Sequence, residues 1–179
     1  MQKKFIGLII AVLVLVVLVS GCIAVNPGKV NIVNNTYSGD GFSFNVPANW
    51  EVSKILSDSN INIDINKNNS TDGTQITVAI SPNPTGMSNQ DLIDIIQNPT
   101  NQDGWEKISN STITVDGNTA YENIYIVNDS NRFKQTMKEE QISFIKNRKT
   151  YALIFDAPVQ SFDQEKSYFN ITINSFKIL

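Results

Sequence analysis

Asn147-Arg148-Lys149-Thr150-Tyr151-Ala152-Leu153-Ile154-Phe155-Asp156-Ala157-Pro158 is the stretch on which the fold class turns. From Tyr151 to Phe155 five successive residues are apolar, so a strand here is apolar on both of its faces. Such a strand must be covered from two sides, which predicts helices packed on both faces of a sheet. Pro158 ends the run, and the short connection Asn147-Arg148-Lys149 joins it to a preceding segment within Phe133–Lys146.

Working outward, simple alternation marks further strands. Gly41-Phe42-Ser43-Phe44-Asn45-Val46 alternates apolar and polar residues, Pro47 stops it, and Trp50-Glu51-Val52 begins the next piece. Ile61, Ile63 and Ile65 alternate with Asn62, Asp64 and Asn66, and Ile76, Val78 and Ile80 repeat the pattern after a polar loop, which predicts a hairpin. Asp116-Gly117 marks a second hairpin between Ile113/Val115 and Ala120–Val127. Two helices are expected. Ser88-Asn89-Gln90-Asp91 resembles a capping box, with Leu92, Ile95 and Ile96 on one face and Pro99 as the stop. Ser161-Phe162-Asp163-Gln164 opens the second, and Phe162, Phe169, Ile173 and Phe176 follow at helical spacing despite the β-branched run Ile171-Thr172-Ile173. The fold class expected is α+β, an antiparallel sheet flanked by helices on both faces.

Composition removes whole classes of chemistry. The 179 residues contain no histidine and one cysteine, which excludes Ser-His-Asp and Cys-His catalysis, histidine metal sites, CxxC redox centres and intrachain disulfides. A net charge of −3 leaves no basic footprint for nucleic acid.

The N-terminus speaks to location. Met1-Gln2-Lys3-Lys4 is a short basic segment, and Phe5–Val19 is an apolar run that ends in Val19-Ser20-Gly21-Cys22. This is the architecture of an export signal, and its ending resembles a lipobox, where cleavage precedes a lipidated cysteine. Cys22 is then the lipidation residue, and residues 1–21 are a signal peptide. The alternative is an uncleaved anchor helix, because Phe5–Val25 carries no charge over a membrane-spanning length. Either way Lys3 and Lys4 stay cytoplasmic and the rest faces out. Residues 22–36 are expected to form the lipidated cysteine and its tether, and residues 37–179 one domain.

At this point four blocks resemble the PsbP-like family. They are Phe42-x-Phe44-x-x-Pro47-x-x-Trp50, Asp116-Gly117, Tyr151-x-Leu153-x-Phe155-x-Ala157-Pro158 and Ile173-Asn174-Ser175-Phe176-Lys177. The resemblance implies an antiparallel sheet sandwiched between helices, in the membrane-anchored prokaryotic lipoprotein branch that best matches the leader. The same fold serves photosystem extrinsic subunits and a Ran-binding protein, so it does not fix an activity. It offers no catalytic residue to carry over. Phe42, Phe44 and Trp50 are expected in the core.

Three constellations bear on chemistry. Asp64, Asn66, Asn68 and Asp72 fall at calcium-loop spacing, but Asn69 replaces the turn glycine, Gln75 replaces the bidentate Glu and Lys67 adds a cation, so no metal is expected. Ser143-Phe144-Ile145-Lys146 matches S-x-x-K, yet in a strand its serine and lysine point to opposite faces. Glu139-Glu140 reads as a solvated acidic edge. Asn-x-Ser/Thr sequons at Asn34, Asn68, Asn69, Asn110, Asn128 and Asn170 are candidate glycosylation sites. The expectation is a surface-exposed, membrane-anchored lipoprotein on the extracytoplasmic face. It needs no cofactor, contacts membrane lipid through Cys22, and binds an envelope or extracellular protein or polymer without catalysis. The alternative is an envelope hydrolase using carboxylates alone, which two close, buried carboxylates in a cleft would favour.

Overall fold

The structure is a computed structural model that describes residues 26–27, 30–57, 60–83, 88–97, 104–130 and 132–179. Its elements run β1 (Asn26–Pro27), β2 (Ile32–Val33), β3 (Thr36–Gly39), β4 (Phe42–Asn45), β5 (Trp50–Ser57), β6 (Asn60–Lys67), β7 (Gln75–Pro82), α1 (Asn89–Gln97), β8 (Trp105–Val115), β9 (Asn118–Val127), β10 (Met137–Lys146), β11 (Lys149–Pro158), α2 (Phe162–Ser175) and β12 (Lys177–Ile178). Eight strands form one sheet in the order β1-β5-β6-β7-β11-β10-β9-β8, and four form a second in the order β12-β4-β3-β2. The strand pairings are antiparallel.

The doubly apolar stretch lies in β11, between β7 and β10 near the middle of the large sheet. Tyr151, Leu153 and Phe155 face a layer made of α2 and the small sheet. Phe155 packs on Phe162 and Phe169, with ring centroids 5.1 and 5.4 Å away, and Tyr151 meets Phe176 at 6.1 Å. Tyr37, Phe42, Phe44 and Phe176 extend this layer as a run of stacked rings. Each ring so buried stabilises the fold by about 1.5–3 kcal/mol through loss of contact with water.

The opposite face differs from the expected helical cover. Among the described residues it carries only the short α1, which packs over β9 and β10. The fold is therefore α+β and mostly antiparallel, but not a clear sandwich of one sheet between two helical layers. The reason lies in the sequence around β11. Its neighbours present Gln75, Thr77, Gln141 and Asn123 to this face, so only Ile154 and a few others there need apolar cover.

Local chemistry explains the turns. Asp116 and Gly117 have φ of 48° and 72°, and Asn147 and Arg148 have 51° and 60°, as two-residue hairpin turns require. Ser88 and Asp91 form the expected capping box: the Asp91 N–H donates to Ser88 Oγ at 3.1 Å and the Ser88 N–H to Asp91 Oδ2 at 2.9 Å. The second capping box does not form. Ser161 has helical backbone angles, and its hydroxyl donates to the Pro158 carbonyl instead. The β-branched run in α2 is tolerated because Thr172 is fully buried and donates to the Asn45 carbonyl at 3.1 Å. Part of the stretch expected as a tether joins the sheets, since β1 pairs with β5 and β2 with β3.

Candidate functional site

Strand register builds a polar face on the large sheet. Side chains that alternate on paired strands fall into cross-strand rows. One row reads Asn66, Gln75, Asp156, Glu139, Tyr125 and Lys107, and the next reads Asp64, Thr77, Ile154, Gln141, Asn123 and Asn110. Two features stand out: a buried ionic cluster and a polar cavity.

The cluster joins adjacent carboxylates to one guanidinium. Arg132, on the loop after β9, places Nη1 3.3 Å from Glu139 Oε2 and Nη2 3.9 Å from Asp156 Oδ2. Gln75 Nε2 donates to Asp156 Oδ2 at 3.0 Å, and Gln141 Nε2 donates to Glu139 Oε1. The guanidinium is also stacked between rings, 5.1 Å from the Trp105 centroid and 4.7 Å from that of Phe133. Burial, together with the negative charge of Asp156, holds the Glu139 carboxyl well above its ordinary range. Burial likewise raises Asp156, against the opposing pull of Glu139, Arg132 and Gln75. Two acids facing one cation in a dry site cannot both ionise without leaving a charge uncompensated, so Glu139 keeps its proton to higher pH.

The pair is buried. Both carboxylate side chains are 1% exposed, and Arg132 only 9%. The expected solvated acidic edge is thus corrected for both of its residues. Glu139 joins this cluster, and Glu140 points to the opposite face, where Lys166 Nζ of α2 lies 2.8 Å from Glu140 Oε2. Burial pushes the Glu140 carboxyl up to about 7, with Glu122 adding to the rise and Lys166 opposing it. The acids are interior because β10 is a central strand, and their cations come from the β9–β10 loop and from α2.

The cavity has a volume of about 360 Å³ and lies on the β8–β9 ladder beside the C-terminal end of α1. Asn110, Ser111 and Thr112 of β8 pair with Asn123, Glu122 and Tyr121 of β9, and Gln97 completes the lining. Two strand side chains fix the helix end. Asn123 Nδ2 donates to the Ile96 carbonyl at 2.8 Å, and Lys107 Nζ donates to the Gln97 carbonyl at 3.0 Å. A cation at a helix C-terminus is favoured by the helix dipole. Glu122 accepts the Ser111 hydroxyl at 2.6 Å, both side chains lying on the other face of the ladder, the face of Glu140.

The remaining candidates are dispersed. Asp64 takes the Thr77 hydroxyl at 3.1 Å, and burial raises its carboxyl above the ordinary range. Asp72 accepts the Ser70 hydroxyl at 2.5 Å and the Thr74 N–H at 2.9 Å. Asn66 and Asn68 are exposed, and Asn69 supplies the positive φ of 59° that the turn needs. Ser143 and Lys146 sit three positions apart on β10 and point to opposite faces. The sequon residues Asn34, Asn68, Asn69, Asn110, Asn128 and Asn170 are all exposed. Val19, Ser20, Gly21 and Cys22 lie outside the described residues, and among those described no helix is long and apolar enough to cross a membrane.

Arg132, Asp156, Tyr121 and Asn123 were not singled out by the sequence reading. Asp156 had a signal, as a charged residue inside an otherwise apolar stretch. Asn123 had one too, as a carboxamide on the face that Tyr125 and Val127 make apolar in the same strand. Arg132 had none, since only the tertiary fold brings its loop over the sheet.

Comparison with known proteins agrees with this architecture. The solution structure of cyanobacterial PsbP (CyanoP) from Synechocystis sp. PCC 6803 is similar, with a TM-score of 0.57 at 18% identity over 90% of this chain and 99% of that one. LpqN of Mycobacterium tuberculosis, involved in cell envelope biogenesis, gives 0.48 at 9% identity over 86% and 89%. The Saccharomyces cerevisiae Ran-binding protein Mog1p gives 0.45 at 12% over 87% and 96%. No functionally curated sequence matches. A family model described as PsbP-like protein matches residues 6–178, almost the whole sequence, and the chain belongs to the PsbP-like family.

Proposed function

We propose that this protein is a non-catalytic binding module, tethered to the membrane through Cys22 and facing away from the cytoplasm. One observation carries the reading. The strongest acid–base candidates are closed into buried ion pairs, whereas the side chains turned into the cavity are amides and hydroxyls, with the Glu122 carboxylate on the other face and bonded by Ser111. A general acid must reach the proton it transfers, and Glu139 and Asp156 reach only protein. Binding roles borne by other proteins of this fold, Ran binding in Mog1p among them, agree with the reading without identifying a ligand. The tether rests on Val19-Ser20-Gly21-Cys22 at the end of the apolar run.

The experiment is membrane fractionation with intact-mass measurement, on wild type and Cys22→Ala. The proposal expects a mature chain that begins at Cys22 and carries added lipid mass. Cys22→Ala should lose both the cleavage and the lipid. An unchanged mass and cleavage pattern in Cys22→Ala would replace the lipid anchor with a retained helix.

A further inference from the structure

We infer that the cavity on the β8–β9 ladder is a saccharide-binding site, taking a neutral sugar unit of an envelope polymer. This deepens the proposed function and rests on its binding-module reading.

The lining fixes the ligand class. On the face toward α1, Gln97, Asn110 and Asn123 each present a carboxamide, and Thr112 and Tyr121 present hydroxyls, while the alternating Ser111 and Glu122 turn their side chains to the other face of the ladder. Carboxamides and hydroxyls both donate and accept, which matches the vicinal hydroxyls of a sugar, themselves donors and acceptors. Tyr121 adds a half-buried ring, whose face can lie against the C–H face of a pyranose. Such a lining does not suit a lipid chain, which would leave those polar groups without partners. Nor does it suit an anion, because no cation is among the lining residues. A metal ion would find no carboxylate among the lining side chains on this face of the ladder. The cavity, at about 360 Å³, stands at the small end of ligand-pocket sizes, which suits one or two sugar rings better than a peptide.

Asn123 gives independent support. It is the buried member of the lining, at 3% exposure, and its amide nitrogen is committed to the Ile96 carbonyl. Its Oδ1 has no hydrogen-bond donor. An acceptor left unmatched in a folded interior costs about 1–3 kcal/mol, so a donor brought by a ligand gains by meeting it. Two side-chain hydrogen bonds to the last carbonyls of α1 hold the helix end beside it, so the lining is preorganised.

The test is isothermal titration calorimetry on the full chain, held in lauryldimethylamine oxide because that detergent has no sugar headgroup. N,N′-diacetylchitobiose and cellobiose are the neutral probes, glucose 6-phosphate the anionic one and decanoate the apolar one. The expected result is one site for a neutral disaccharide, weakened by about tenfold or more in Thr112→Trp, which fills the cavity from an exposed strand position. Asn123→Ala should weaken it as well. Thr112→Trp should keep the wild-type melting temperature, so its loss of binding reports the site and not the fold. No heat from either neutral disaccharide, tighter binding of decanoate or glucose 6-phosphate, or full binding by Thr112→Trp would overturn the inference. Binding followed by cleavage of the disaccharide would uphold the saccharide site while overturning the non-catalytic reading, so the two failures are distinguishable.

Discussion

Replacing Arg132 with Met removes the only cation within ion-pair distance of Glu139 and Asp156 among the described residues while retaining most of its apolar stem. Two separable costs follow. Loss of stacking against Trp105 and Phe133 costs about 1 kcal/mol and does not depend on pH. Loss of the charge leaves a buried carboxylate unpaired, a defect that typically costs about 3–5 kcal/mol. The second cost exists only while a carboxylate is ionised. Both groups have folded-state ranges above their ordinary values of 4.5 and 3.8, so the native chain binds more protons than the unfolded chain in the window above those values. Stability contributed by the protonated forms is full below that window and is lost as pH rises through it. Removing Arg132 takes away a term that lowered both, so the loss steepens. Urea unfolding of the full chain in micelles should therefore show Arg132→Met costing about 1 kcal/mol near pH 4.5 and about 4–6 kcal/mol near pH 8. Glu139→Gln, which removes one of the two acids, should make stability flatter with pH than in wild type. An equal cost for Arg132→Met at both pH values would refute the account in which burial keeps these acids protonated to higher pH.

Trp50, 8% exposed and 5.4 Å from the Tyr168 ring centroid, should cost about 3–5 kcal/mol when changed to Ala, and a loss below about 1 kcal/mol by denaturant titration would place it outside the core. Calcium at about 1 mM should leave the melting temperature of wild type and Asp64→Ala unchanged, because Asp64 and Asp72 are engaged with different partners; a site of about 10 µM affinity would add about 2.7 kcal/mol, visible as a rise lost in Asp64→Ala. Thr172→Val should destabilise by about 1 kcal/mol in the same denaturant assay, since the Asn45 carbonyl loses the hydroxyl of a buried residue, and an unchanged midpoint would show that bond to be idle.

Much of the architecture was legible because it is written in short-range patterns. Alternation at Ile61–Ile65 and Ile76–Ile80 specifies β6 and β7, Asp116-Gly117 specifies a two-residue turn, and Ser88 with Asp91 specifies a helix start. The Phe162, Phe169 and Ile173 spacing specifies α2, while Phe176, expected on the same helix, is its extended C-cap. What failed depended on contacts that the local pattern does not encode. Glu139-Glu140 looks like a charged edge from neighbours alone, because Arg132 and Lys166 meet them only after β9, β10 and α2 have packed. The helical cover expected on both faces failed for a related reason. Apolarity on both sides of β11 was taken to describe the entire sheet, while flanking strands turn Gln75, Thr77, Gln141 and Asn123 toward the second face. The cavity left no motif, since amides and hydroxyls at strand positions are also what an ordinary solvated edge contains.

The central claim, a binding module that holds envelope material without altering it, is tested most directly by one co-sedimentation measurement. Purified envelope polymer, stripped of protein, is incubated with the full chain, then pelleted, and bound protein and released soluble sugar are quantified in the same sample. The account predicts saturable retention that Thr112→Trp abolishes, with no soluble fragments above the level of a protein-free control. Time-dependent release of fragments from the wild-type chain would contradict it and make the protein an envelope hydrolase.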